Sequence, residues 1–279
     1  MKKHTTFRVG GPADILVQPK GTELASVIRL CRKYDVPYQV IGNGSNLLVG
    51  DRGIRGLVIE MLSKEDEICV EDDCITVGAG MLLSKTANRA AEHGLTGMEF
   101  AAGIPGSIGG AVVMNAGAYG GEMKDILTAV TVLDQEGNEK ILSAEELELG
   151  YRTSCILKKG YIVTGAKIKL KHGEETAIRA RMEELKKQRV EKQPLEYPSA
   201  GSTFKRPEGY FAGKLIMDAG LRGYLVGEAQ VSEKHCGFVI NRGNATAADV
   251  RTLMQNVADI VEEKFGVRLE PEVKMIGEF

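Results

Sequence analysis

The chain has 279 residues, of which 43% are hydrophobic and 27% charged, so it can bury a core of its own and is too apolar to be disordered throughout. Its 36 lysines and arginines nearly balance its 38 aspartates and glutamates, and the formal net charge of -2 gives no electrostatic basis for binding nucleic acid or an anionic membrane. Glycine, in contrast, occurs 34 times, about one residue in eight, where about 7% is usual.

The cysteines and the N-terminus indicate the compartment. The five cysteines include no pair with Cys-x-x-Cys spacing, which argues against a disulfide scaffold or a structural zinc site, and we predict no bound metal. The N-terminus lacks the apolar core of a signal peptide, and no apolar run is as long as a membrane span. We therefore expect a cytoplasmic protein, and we expect it to be a monomer.

The first sixty residues predict a small βαββ unit. The apolar run over 13–18 is a strand, and Thr22 can cap a helix that extends beyond Ile28. Two more strands are predicted over 38–41 and 57–61. The charged stretch that follows, at 63–73, marks a domain boundary.

The middle of the chain is rich in strands. A helix from Ser84 through His93 is followed by Gly94, a residue suited to ending a helix. Gly137 lies in a hairpin turn. The strands predicted in this part of the chain are 68–70, 75–77, 128–133, 139–142 and 161–170.

The last third predicts three helices, three strands and a polar loop. A charged helix over 174–193 ends at Pro194, and a capping box from Thr246 to Asp249 begins a strongly amphipathic helix that Gly266 ends. The other elements are a polar loop at 197–206, a helix at 211–220, and strands at 225–226, 237–240 and 271–276. This order predicts an α+β architecture in three lobes rather than a doubly wound parallel sheet.

The glycines concentrate in three places: at 42–48 and 78–80, each after a predicted strand, and at 103–121. Neither a Walker loop nor a complete Gly-x-Gly-x-x-Gly fingerprint is present. Bare backbone with serine and asparagine donors can approach phosphate oxygens, although any one of these stretches also fits a tight turn. Three in one chain favour a large phosphate-bearing ligand.

Seven motifs occur in order along the chain: HTTFRVGGPA (4–13), GNGSNLLV (42–49), GIPGSIGGA (103–111), NAGAY (115–119), GYRTS (150–154), AGSTFK (200–205) and LEPEV (269–273). Together they resemble the UDP-N-acetylenolpyruvoylglucosamine reductase family, in its shorter type. The resemblance implies an FAD-binding fold of the vanillyl-alcohol-oxidase type, with two α+β lobes at 1–62 and 63–172 and an α+β substrate-binding domain at 173–279.

The same resemblance implies FAD as cofactor, NADPH as reductant and a small UDP-sugar as substrate. The loops at 42–48 and 103–110 would hold the FAD pyrophosphate, and the stretch at 115–119 would border the flavin. The cofactor-binding residues expected on this basis are Gly42, Asn43, Gly44, Ser45, Asn46, Leu47, Gly78, Gly80, Gly103, Ile104, Pro105, Gly106, Ser107, Gly109, Gly110, Asn115, Ala116 and Gly117.

The family motifs also suggest catalytic roles. Arg152 would bind the substrate carboxylate, because its planar fork matches carboxylate geometry. Ser202 would donate a proton to C2 of the substrate's enolpyruvyl group. A protonated Glu272 would donate a hydrogen bond to the oxygen of the enolate that forms during the reduction. Glu270, on the same face of a predicted strand, is the second choice for this role. The residues expected to contact the UDP moiety are Lys205, Arg206, Tyr224 and Gln230. Two alternatives stay open: a flavin oxidase of the same fold acting on a sugar or hydroxy acid, and a non-catalytic flavin-binding module.

Overall fold

A computed structural model of the protein describes residues 1–21, 23–61 and 68–279. The predicted cap Thr22 and part of the predicted boundary, 63–67, lie outside the described residues. The helices are α1 Glu23–Lys33, α2 Leu83–Glu92, α3 Ile108–Val113, α4 Cys155–Lys159, α5 Glu175–Lys192, α6 Ala212–Asp218 and α7 Ala247–Phe265. The strands are β1 Ala13–Val17, β2 Tyr38–Ile41, β3 Leu47–Val49, β4 Ile54–Glu60, β5 Ile68–Glu71, β6 Cys74–Gly78, β7 Leu95–Thr96, β8 Gly117–Ala118, β9 Gly121–Glu122, β10 Leu127–Leu133, β11 Glu139–Ser143, β12 Ile162–Lys169, β13 Lys171–His172, β14 Ser199–Ser202, β15 Leu225–Val226, β16 Ala229–Val231, β17 Phe238–Asn241 and β18 Lys274–Ile276.

The chain forms two compact units. Unit 1 comprises Met1–Asp14, Gly44–Gly56 and Val190–Phe279, and unit 2 comprises Ile15–Asn43 and Leu57–Arg189. The mixture of helices with largely antiparallel sheets confirms the predicted α+β class. The division into three domains stays a prediction.

Unit 2 is built on an antiparallel five-stranded sheet in the order β11-β10-β12-β6-β5. The predicted hairpin is confirmed, since β10 pairs with β11 from Ala129↔Ser143 to Leu133↔Glu139 around a turn in which Gly137 has φ +77°. A second, smaller core of this unit lies where the apolar face of α1 packs beside β2 and β4, which pair in parallel. The predicted strand–helix–strand–strand order of the first sixty residues is therefore present, with the short β3 in addition.

Unit 1 has its own core around the four-stranded sheet β14-β17-β16-β15 and the helices α6 and α7. The predicted start of α7 is confirmed, because the Thr246 hydroxyl accepts from the Asp249 backbone N–H and the Asp249 side chain accepts from that of Thr246. Gly266 ends the helix in the left-handed conformation with φ +67°. The short β18 pairs in parallel with β3.

Several predicted boundaries are wrong. Helix α2 begins at Leu83 with Leu82 as its N-cap, not at Ser84. The polar loop predicted at 197–206 contains β14, and β16 was not predicted at all. The last strand covers only Lys274–Ile276, so Glu270 and Glu272 do not lie on one face of a strand. In the part of the chain that the structure describes, no helix is both long and apolar enough to cross a membrane.

Candidate active site

The three glycine-rich turns meet in unit 2. The Asn43 side-chain amide, just after β2, donates to the Pro105 carbonyl at 2.5 Å. The Gly109 backbone N–H donates to the Ala79 carbonyl at 2.8 Å, and the Ile108 N–H donates to the carbonyl of Met81 at the same distance. The turns that the sequence places more than twenty residues apart are thus joined by direct hydrogen bonds.

Two glycines of these stretches, Gly78 at the end of β6 and Gly110 in α3, have open space where a Cβ would lie. A Cβ added at Gly78 would meet no atom within 4 Å, and one at Gly110 would meet only the Ser107 hydroxyl, at 3.5 Å. A Cβ at Gly42, in contrast, would lie 2.2 Å from the same hydroxyl, so that glycine is required by packing. Gly78 and Gly110 are exposed, and the absence of a side chain there lets a phosphate-bearing cofactor approach the backbone, so these stretches fit the FAD pyrophosphate.

The rest of the first glycine stretch belongs to unit 1. Gly44 has φ +61°, and a Cβ there would lie 2.1 Å from the His4 carbonyl oxygen. The Asn46 side-chain amide donates to the Glu272 carbonyl at 3.1 Å. The other predicted cofactor residues lie within the same turns, at the start of β3 or in the segment that ends in β8: Ser45, Leu47, Gly80, Ile104, Gly106, Ala116 and Gly117.

Asn115 is a completely buried hydrogen-bonding hub of unit 2, with φ +41°. Its amide donates to the Glu122 carboxylate at 2.8 Å and to the Gly150 carbonyl at 3.0 Å, and its oxygen accepts the Lys124 N–H at 2.9 Å. The side chain thus ties the glycine-rich segment to the turn at 150–153. This use of the amide is structural, and the predicted contact of Asn115 with FAD remains a prediction.

Arg152 lies in that turn. It is half-buried with φ +54°, and its Nη2 donates to the Gly117 carbonyl at 3.2 Å. The pKa of the nearby Glu122 is lowered, first by a hydrogen bond from Lys124 and further by Asn115 and by the positive charge of Arg152. Sequence reasoning missed Glu122, because it lacks a motif of its own and is identified only by these contacts.

Ser202 and Glu272 are brought together in unit 1. Ser202 ends β14 and is exposed, and it follows Gly201, which has φ +75°. The next residue, Thr203, is buried, and its carbonyl accepts the Glu272 backbone N–H at 2.8 Å. The Glu272 backbone is thereby fixed to the residue that follows Ser202, and its carbonyl accepts from the Asn46 side-chain amide.

The second-choice carboxylate, Glu270, has a different partner. Lys205 donates to it through Nζ at 2.9 Å, and the backbone N–H of Lys205 donates to the Glu270 carbonyl at 2.8 Å. The hydrogen bond and the positive charge of Lys205 lower the pKa of Glu270, which keeps this carboxyl ionised. An ionised group cannot donate a hydrogen bond to an enolate oxygen, which argues against Glu270 in that role.

The other predicted substrate contacts have structural partners. The Arg206 guanidinium stacks on the Phe211 ring at 3.9 Å. The Tyr224 hydroxyl accepts from Asn256 of α7 at 3.0 Å. Gln230 is buried, donating to the Gly223 carbonyl at 3.1 Å and accepting from Arg242 at 2.8 Å. Substrate contacts by these three residues and by Lys205 therefore stay predictions.

Two family models match the chain. One described as an FAD binding domain matches residues 13–143, and one described as the C-terminal domain of UDP-N-acetylenolpyruvoylglucosamine reductase matches residues 193–276. The reductase of that name from Agathobacter rectalis is 60% identical, with 100% of this chain and 93% of the relative covered. The one from Clostridium tetani is 56% identical, with 100% and 91% covered.

A solved structure agrees with these matches. The crystal structure of UDP-N-acetylenolpyruvylglucosamine reductase from Thermus caldophilus superimposes with a TM-score of 0.84 at 41% identity, and the match covers 98% of this chain and 96% of that one. Together with the convergent glycine turns, these similarities confirm the predicted FAD-binding α+β fold.

Proposed function

This chain belongs to the UDP-N-acetylenolpyruvoylglucosamine reductase family, and we propose that Arg152, Ser202 and Glu272 carry its reaction. It is an FAD-containing oxidoreductase that uses NADPH to reduce UDP-N-acetylenolpyruvoylglucosamine to UDP-N-acetylmuramate in peptidoglycan precursor synthesis. The observation that carries the assignment of residues is the hydrogen bond from the Glu272 N–H to the Thr203 carbonyl, which fixes Glu272 beside Ser202.

The substrate determines what the residues must do. Its enol ether is conjugated to a carboxylate, so hydride addition at C3 places negative charge on C2 and on the carboxylate oxygens. Groups that stabilise this charge contribute most to catalysis when they are already in place before the reaction. A proton must also reach C2.

The loops at 42–48 and 103–110 would hold the FAD pyrophosphate, because the side-chain space at the exposed Gly110 is open and the Ser107 hydroxyl lies 3.5 Å from it. When bound, FAD accepts electrons from NADPH and supplies the hydride.

Arg152 binds the substrate carboxylate and stabilises the charge that builds on it. Its half-buried position and its hydrogen bond to the Gly117 carbonyl reduce the freedom that it loses when substrate binds. The Glu122 carboxylate balances part of the positive charge in the absence of substrate. Replacing Arg152 with alanine should therefore raise KM and lower kcat for the enolpyruvyl substrate.

Ser202 delivers its hydroxyl proton to C2 and regains one from water, to which it is exposed, while Glu272, in its protonated form, donates a hydrogen bond to the enolate oxygen. Ser202 suits this role because it is exposed at the end of β14, where the buried Thr203 holds the following backbone by accepting from Val239 and donating to Gly237. A rigid neighbour keeps the hydroxyl in one place, as proton transfer requires.

The test measures the two half-reactions of Ser202→Ala separately: reduction of the flavin by NADPH, and reduction of the enolpyruvyl substrate. We expect NADPH to bleach the flavin at a near-normal rate, while formation of UDP-N-acetylmuramate falls by about 100-fold or more. The matched control is Ser199→Ala in the same strand, which should leave both half-reactions unchanged. Equal losses in both half-reactions of Ser202→Ala, or turnover at the normal rate, would show that Ser202 is not the proton donor.

The same experiment separates the alternatives. A flavin oxidase would be reoxidised faster by air than by the enolpyruvyl sugar, and a non-catalytic flavin-binding module would bind FAD without bleaching by NADPH. The relatives named above are reductases, and this supports the reductase function over both alternatives. The monomeric state and the cytoplasmic location stay predictions, which light scattering and cell fractionation test.

A further inference from the structure

Helix α5 carries an arginine in line with its apolar face. Ile178 and Leu185 are buried and Met182 packs against the unit 2 core, and these three follow the spacing of one helix face. The next position on that face, four residues beyond Leu185, is Arg189. It is half-buried with its Nη1 shielded from solvent, and it is the last residue of unit 2.

The Arg189 guanidinium lies against Gly103, the first residue of the expected FAD loop. A Cβ added at Gly103 would lie 2.6 Å from Nη1 and 3.3 Å from Cδ of Arg189. Gly103 does not have a positive φ, so its backbone conformation is open to other residues. The space that a side chain at 103 would need is taken by the Arg189 side chain, which would have to move to admit one.

Arg189 also meets the other end of the glycine-rich segment. Together with Gly103 and Tyr119 it lines a cavity of about 480 Å³. Burial lowers the pKa of Arg189, and the nearby Tyr119 partly offsets the shift. One guanidinium thus lies beside residues 103 and 119, which bound the segment expected to hold the pyrophosphate and border the flavin.

We propose that Arg189 is a positioning residue for FAD: by packing against Gly103 it holds the start of the cofactor loop in its binding conformation. Pro105 and Ser107, which follow Gly103 closely, make the contacts to Asn43 and Gly42 that bring the turns together. Loss of the guanidinium would free Gly103 and loosen this arrangement. The inference rests on FAD being the cofactor.

The test is a double-mutant cycle on FAD affinity, using Gly103→Ala, Arg189→Met and the double variant. Apoprotein is titrated with FAD, and the visible spectrum of the bound flavin is recorded. Each single change should weaken FAD binding about tenfold or more, because the added methyl group of Gly103→Ala would displace the guanidinium and Arg189→Met would remove it. In the Arg189→Met background, Gly103→Ala should then weaken FAD binding less than about threefold, since the guanidinium that would collide with the added methyl group is gone.

Two controls separate positioning from folding. Arg181→Met removes an arginine of the same helix that pairs with exposed Glu184, and FAD affinity should stay within about twofold of the wild-type value. The melting temperatures of the Arg189→Met and wild-type apoproteins should lie within a few degrees, since exchange of a buried charge for an apolar side chain can be nearly neutral. If Arg189→Met does not fold, the shorter Arg189→Gln completes the same cycle.

The proposal is overturned if Gly103→Ala costs the same factor in both backgrounds, because Gly103 would then serve the ligand directly. Full FAD affinity in Arg189→Met or Arg189→Gln would overturn it as well. Failure of the wild-type protein to bind FAD would instead refute the assignment of the cofactor.

Discussion

Replacing Asn115 with alanine should lower stability strongly, although the residue lies in a segment expected to serve a ligand. The change removes three hydrogen bonds, to Glu122, Gly150 and Lys124, at a net cost of about 1 kcal/mol each. Alanine also tolerates the positive φ of 41° less well than asparagine, which adds about 1 kcal/mol. The expected loss in the free energy of unfolding is about 4 kcal/mol.

Urea unfolding at a fixed FAD concentration, followed by circular dichroism, measures this loss. Asn115→Gly is the matched variant, because it removes the same three bonds without the backbone penalty. It should therefore lose about 3 kcal/mol. A loss below about 1 kcal/mol in both variants, or equal losses in the two, would refute the reasoning.

The kinetic effect should be specific to the substrate. The Asn115 amide holds the Gly150 carbonyl two residues before Arg152, so its loss frees the turn that presents the guanidinium. We expect KM for the enolpyruvyl substrate to rise about tenfold in either variant, with flavin reduction by NADPH unchanged. A fall in FAD affinity with an unchanged substrate KM would instead favour a direct contact of Asn115 with the cofactor.

Three further predictions concern other parts of the chain. The pKa of Asp134 is lowered from 3.8 to about 2, chiefly by backbone N–H groups of the β10–β11 turn, so the stability that this carboxylate adds is present above about pH 4 and lost as pH falls through 2. Asp134→Asn should flatten the fall of the melting temperature between about pH 4 and pH 2. An unchanged dependence on pH would show that Asp134 is not the group responsible. Glu270→Gln should keep most of the turnover, whereas Glu272→Gln should lose at least about tenfold, and the opposite order would exchange the two roles. Thr246→Ala should destabilise the protein by about 1 kcal/mol in thermal unfolding through loss of the α7 cap, and no change would show that the capping box contributes nothing.

The elements that the sequence predicts well are those whose signals are local. The capping box of α7 and the hairpin turn at Gly137 depend on residues within four positions of one another. The conformation of Gly94, with φ +64° after α2, likewise depends on its own backbone.

The misplaced start of α2 has a non-local cause. Its N-cap, Leu82, has no side-chain hydrogen bond to the helix, and the Leu83 N–H donates to the Gly106 carbonyl at 3.0 Å. A carbonyl from the cofactor loop therefore satisfies the first backbone N–H of the helix in place of a capping side chain. No pattern around residue 83 could have revealed this bond.

Strand β14 escaped prediction for a related reason. Its sequence, Ser-Ala-Gly-Ser, is polar and small, and a register shift separates its pairs with β17. These residues have low strand propensity. They form a strand here because they pair with β17, all four residues of which are buried. Ser202, which is exposed, is the last residue of this irregular strand.

The glycine excess contains two kinds of residue that composition cannot distinguish. Gly42, Gly103 and Gly109 are small because a neighbour occupies the space of their side chain: the Ser107 hydroxyl, the Arg189 guanidinium and the Ala79 methyl, respectively. Gly78 and Gly110 have no such neighbour within 3.4 Å, so the space of a side chain is open at these two positions. The first kind assembles the turns, and the second kind is what we propose to face FAD. The count of glycines therefore indicates a nucleotide site, while the contacts of the individual glycines with FAD stay predictions.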